Sequence, residues 1–148
     1  MSILDQLKTD MIIAMKAGEK ARLSTVRLLI SALKSAEIDK RDALTADEAV
    51  TVLSREAKRR RESIALYQEG GRQEMADAEA AELVVIQSYL PQPLSEADVL
   101  EMLKAAIAET GASGKREMGR VMGLVMPKLK GRFDGKLAKD LLLGLLPD

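Results

Sequence analysis

Apolar residues three and four apart recur along almost the whole chain, and that spacing restricts it to helices. Leu4, Leu7, Met11 and Ala14 share one helical face, as do Leu23, Val26, Ile30 and Leu33. No segment alternates polar and apolar residues for long enough to make a half-buried strand. Ala, Leu, Glu, Lys and Arg dominate, and these are helix formers. With one Phe, two Tyr and no Trp in 148 residues, the core has to be almost wholly aliphatic. The expected class is all-α.

Breakers and caps divide the periodic pattern. A first helix ends near Gly18 and a second runs to about Ile38. Thr45 with Glu48 is a capping-box pair, and a long helix follows to about Gln68, closed by Gly70 and Gly71. A fourth helix carries Met75, Leu83, Ile86 and Leu90 on one broad face. Then LPQPLSEAD intervenes. Pro91 and Pro93 forbid a continuous helix, and Ser95 caps a new one with Asp98 in its first turn. The pattern predicts an N-terminal four-helix domain over residues 1–90. A Pro-containing linker joins it to a small three-helix tail domain over 94–148. The tail helices are expected at 95–110, 115–129 and 135–146, the last capped by Asp134 and followed by Pro147.

The chain has no His and no Cys. That removes Ser-His-Asp and Cys-His nucleophilic catalysis, Cys/His zinc sites and thiol redox chemistry. The glycines form neither a P-loop nor a dinucleotide fingerprint. No catalytic residue, metal site or cofactor is expected. No run is long and apolar enough to span a membrane, and no membrane partner is expected. The N-terminus, MSILDQLKTD, lacks the apolar region of a signal peptide, so the expected location is cytoplasmic.

Net charge is zero but unevenly spread. Residues 69–101 hold eight acids and one base, whereas residues 115–139 hold eight bases and two acids, a local balance of +6. The basic stretch contains MGRVMGLVMPKLKGRFDGK. At about 100° per residue, Met118, Val121, Met122, Val125 and Leu129 make one apolar stripe. Arg116 and Arg120 fall on the opposite face, with Gly119 and Gly123 between. The glycines could simply let a neighbouring helix approach. They could equally leave a bare backbone strip, edged by cations, that admits a phosphate backbone. Pro127 removes the bond to the Gly123 carbonyl and should kink or end the helix. Lys128, Lys130, Arg132 and Lys136 then form a basic turn, which is either a solvated face or a contact surface.

In the third helix Leu53, Ala57, Ile64 and Tyr67 define the apolar stripe, and Arg60 lies within it. An arginine there needs a carboxylate partner or a route to solvent. Glu79 and Glu82, three apart on the fourth helix, are expected to pair with Arg60, with Arg72 as a second candidate base. Magnesium binding by these two acids is the less favoured reading.

Four segments together resemble the GatB/YqeY family, in its stand-alone YqeY-like form: AMKAGEKARLSTVRLLISALKSAEID, RRRESIALYQEGGRQEMADAEAAEL, SYLPQPLSEADV and MGRVMGLVMPKLKGRFDGK. The resemblance implies two helical modules shared with the C-terminal part of the B subunit of tRNA-dependent amidotransferase, whose tail module helps hold tRNA. It carries over a binding module more securely than an activity. Carbon–nitrogen ligase activity with glutamine as amide donor belongs to the whole complex. Phe133 departs from the small residue often found in the family's Gly-Arg-x-Asp-Gly-Lys turn, and is either a packing anchor or a stacking ring.

The resulting expectation is an accessory RNA-binding protein that contacts tRNA, another folded RNA or a tRNA-loaded enzyme. Arg116, Gly119, Arg120, Gly123, Lys128, Lys130, Arg132 and Lys136 would form its surface. Few aromatics argue against single-strand stacking and suit recognition of a folded RNA's shape. No DNA preference is evident. The alternative is a protein–protein adaptor using the Met118, Met122, Met126 edge and the acidic fourth helix.

Overall fold

The computed structural model describes residues 1–148, and it is all-α, with seven helices, one 3-10 turn and no strand. The chain separates into two compact units, Met1–Pro91 and Gln92–Asp148.

In the first unit, α1 (Ile3–Ala17), α2 (Lys20–Lys40), α3 (Ala46–Glu69) and α4 (Gln73–Gln87) surround one core. Leu7, Val26, Leu29, Leu33, Leu53 and Ile86 are its fully enclosed side chains. Local chemistry sets the helix ends. Ser2 and Asp5 close a capping box on α1, and Gly18 ends that helix in the left-handed region, at φ 71°. Thr45 and Glu48 do the same at the start of α3. α2 runs two residues past Ile38 and ends on Arg41, a non-glycine residue at φ 64°. Its N–H reaches the carbonyls of Glu37 and Ile38, which satisfies the helix end despite the strained backbone.

α4 departs from expectation at its start. Met75 is 43% exposed, and Ala76 is buried instead. The buried face of α4 runs through Ala76, Leu83 and Ile86, and Met75 lies about 100° round from it.

In the second unit, α5 (Glu96–Thr110), α6 (Met118–Leu129) and α7 (Gly135–Leu145) enclose Val99, Leu103, Val121, Val125, Leu129, Ala138 and Leu142. Ser95 and Asp98 cap α5 reciprocally, and Asp134 caps α7 by accepting from the Lys136 N–H. A 3-10 turn, Lys115–Glu117, precedes α6. Pro127 does not end α6, which continues to Leu129. The lost bond leaves the Gly123 carbonyl on an exposed face, open to solvent. One turn later, Lys130 N–H still bonds the Met126 carbonyl at 3.2 Å.

Candidate nucleic-acid interface

The buried side of α6 is Val121, Val125 and Leu129, with Met118 and Met122 half-buried against the same core. The methionine stripe is therefore largely packing. On the other side, Gly119, Gly123 and Pro127 succeed one another at four-residue intervals and are all exposed. A Cβ at Gly119 or Gly123 would meet no atom within 4 Å. Within this unit no helix lies against these glycines. They leave a strip of open backbone about two turns long. Exposed Arg120, Leu124 and Lys128 lie along one edge, and Met126, 41% exposed, lies along the other.

The eight sequence-selected residues divide by what holds them. Lys128, Lys130 and Lys136 are exposed and take part in no ion pair. Lys139, one turn after Lys136 and also exposed, joins this set; its i+3 spacing was the available signal. Arg116 is exposed but sits in the 3-10 turn, so it does not share a continuous α-helical face with Arg120. Arg120 is drawn toward its own unit: Nη1 is 3.8 Å from Glu117, and Nη2 donates to the Thr110 carbonyl at 3.3 Å. Arg132 is engaged more firmly. Its Nε donates to the Gln92 carbonyl at 2.9 Å, while its own carbonyl accepts from Leu94 N–H at 2.9 Å. That two-bond clasp ties residues 92–94 to the α6–α7 turn. Phe133 packs against the core of the unit.

At the end of this unit, Lys115 pairs with Asp148 and Lys115 N–H bonds the Pro147 carbonyl at 3.1 Å. Lys115 is thereby occupied.

In the first unit, Arg60 is 11% exposed and faces three carboxylates. Nη1 meets Glu56 at 2.6 Å, Nε meets Glu82 at 3.0 Å, and Glu79 stands at 3.7 Å. Burial works against the guanidinium charge. Hydrogen bonds to Glu56 and Glu82 outweigh it and raise the Arg60 pKa above its ordinary value. Arg72 is not in the cluster; its Nη1 faces the Met75 sulfur at 3.9 Å. Glu56, four residues before Arg60 on the same helix, is the member that cross-helix reasoning overlooks.

Comparison with known proteins bears on the whole chain. Residues 4–146 match the family model described as Yqey-like protein. Three fungal relatives carry the name altered inheritance of mitochondria protein 41, mitochondrial. The protein from Pyrenophora tritici-repentis is 29% identical over 88% of this chain and 72% of its own length. The one from Eremothecium gossypii is 33% identical over 66% and 54%, and that from Meyerozyma guilliermondii 32% identical over 82% and 66%. The match thus spans from about half to under three quarters of the curated relatives. Their names correct the cytoplasmic expectation, which rested only on the composition of the first residues. No helix is long and apolar enough to cross a membrane. With nearly the full chain matched in one continuous stretch, this protein belongs to the YqeY-like family.

Proposed function

We propose that this chain is an accessory RNA-binding protein whose second unit contacts the phosphate backbone of tRNA or another folded RNA, alone or within an amidotransferase-like complex. In this reading the chain works as two modules, a four-helix domain over residues 1–90 and a three-helix tail domain over 94–148. The carrying observation is the open backbone strip of Gly119 and Gly123 on the helix that carries Lys128, followed by Lys130 in the turn and Lys136 on α7, three cations that no acid of the chain pairs with. Phosphate contacts of this kind position an RNA without reading its sequence. The tail's one aromatic ring, Phe133, is half-buried against the core. Arg132 acts here through the clasp that shapes the turn carrying Lys130. The relatives' names make the mitochondrion the working location.

Binding of labelled tRNA to wild type and to Lys128→Glu with Lys130→Glu tests the reading. Affinity is expected to fall, and the wild-type constant to weaken steeply with salt. Equal affinities would remove the tail from the interface.

Leu124 and Met126, 40% and 41% exposed, favour a second reading, a protein adaptor docking on the same helix. Partner capture that resists ribonuclease and both charge reversals supports it. Independent carbon–nitrogen ligase activity has only family resemblance behind it; ammonia transfer or ATP turnover by the purified chain would establish it.

A further inference from the structure

The solvent face of α2 carries cations at a seven-residue interval. Lys20, Arg27 and Lys34 are all exposed. Seven residues advance about 10.5 Å along a helix and drift only about 20°. The three therefore line up along one side. Ser24 and Ser31, each four residues after a cation, are also exposed and place hydroxyls on the same line. No ion pair engages Lys20, Arg27 or Lys34, whereas Lys40, off the line, is held by Glu48 at 2.6 Å. The acids of α2, Glu37 and Asp39, lie to either side of the row. At its N-terminal end Lys20, Leu23, Ser24, Arg27 and Leu28 border a shallow hollow of about 380 Å³.

Like charges in line, with no internal partner, favour an anion with a repeating charge. Hydroxyls between them supply further donors to phosphate oxygens. A membrane surface fits less well. Interfacial helices insert an apolar face, and the apolar face of α2, Val26, Leu29, Ile30 and Leu33, is buried in the core. A protein partner fits less well too, because the line from Lys20 to Lys34 is itself wholly polar, with Leu23 and half-exposed Leu28 only beside it.

We propose that the solvent face of α2 is a phosphate-backbone contact for RNA, with Lys20, Arg27 and Lys34 neutralising phosphates and Ser24 and Ser31 bonding them. This contact is separate from the one assigned to the tail. The test uses the full chain and a fluorescein-labelled RNA hairpin. Arg27→Glu with Lys34→Glu is expected to weaken binding at least about tenfold and to lower the salt slope by about two. Helix content and the melting midpoint should stay at wild-type values. The neutral pair Arg27→Gln with Lys34→Gln should show the same trend, which covers the case of a misfolded reversal.

Lys128→Glu with Lys130→Glu is measured in parallel. Loss confined to the α2 variants supports this contact and removes the tail reading; loss in both sets supports both. Loss confined to the tail variants overturns the α2 contact, as does a wild type that binds phosphatidylserine vesicles but no RNA.

Discussion

Tyr89, just past the end of α4, donates its hydroxyl proton to Asp10 Oδ2 of α1, 79 residues earlier in the chain. The bond joins the two sequence ends of the first unit at a crevice lined also by Gln6, Thr9, Arg22 and Ser88. It ties the turn before Pro91 to α1. Tyr89→Phe removes the donor and leaves a half-buried carboxylate with less support. We expect a loss of about 1–2 kcal/mol in urea denaturation. An unchanged midpoint would make the bond incidental.

The same contact has a pH signature. Burial first, then the bond to Asp10, pushes the Tyr89 phenol from the usual 10.0 up to about 12. A group whose pKa is raised by folding stabilises the native state fully below its unfolded value. That contribution is lost as pH rises from about 10 through about 12. In Tyr67→Phe, where Tyr89 is the remaining tyrosine, ultraviolet titration of the native protein should give a midpoint near 12. A midpoint near 10 would mean that the phenol is free.

Arg60 is expected to be the most sensitive charged residue of the first unit. Its removal leaves Glu56, Glu79 and Glu82 facing one another without a cation. Arg60→Ala should destabilise by about 3 kcal/mol, the range for breaking a largely buried pair from one side. Glu82→Gln should lose much less, because Glu56 remains at 2.6 Å. Thermal melts of the two variants separate these outcomes. An Arg60→Met protein as stable as wild type would show that the cluster is not needed for folding.

At the α2–α3 junction, Glu48 accepts from Lys40 Nζ at 2.6 Å and from Thr45 N–H at 3.1 Å. The Lys40 bond, then the two Thr45 bonds, lower its carboxyl from the usual 4.5 to about 2. A depressed pKa contributes stability above the unfolded value, and that contribution disappears as pH falls from about 4.5 through about 2. Carbon-detected titration should place Glu48 near 2 in wild type and higher in Lys40→Met. Thr45→Ala, which loses the cap itself, should cost about 1 kcal/mol.

How much of this could be read beforehand depends on the range of the interaction. Caps such as Thr45 with Glu48 and Ser95 with Asp98 depend on residues three apart, so spacing reveals them. Arg60 stands out for the same reason, as a charge inside a period-marked apolar stripe. Its choice of carboxylates does not, because a long side chain selects partners by rotamer; Glu56 joins while Arg72 turns to Met75. Arg132 reads as one more free cation until the fold brings the Gln92 carbonyl, 40 residues away, within 2.9 Å. The 3-10 turn at Lys115–Glu117 was hidden as well, since its three residues are all charged and no apolar period marks where the α-helix begins. For Gly119 and Gly123, the period put them off the core stripe but said nothing of whether another helix covers them.

Those two glycines allow a test that separates folding from binding. Neither has a positive φ, and a methyl group at either would meet no atom within 4 Å. Nothing in the fold needs glycine there, yet Gly123 lies in the middle of α6, where it lowers helix stability by about 1 kcal/mol relative to alanine. Gly119, in the first turn, should contribute less. Gly119→Ala with Gly123→Ala is therefore expected to raise the melting temperature. If the open strip receives a phosphate backbone, two methyl groups will hold it off, and RNA affinity should fall while stability rises. That opposite movement distinguishes a surface kept bare for contact from an ordinary solvated face. A variant that is more stable and binds RNA as wild type does would leave the glycines without a role in binding and shift the interface to the lysines alone.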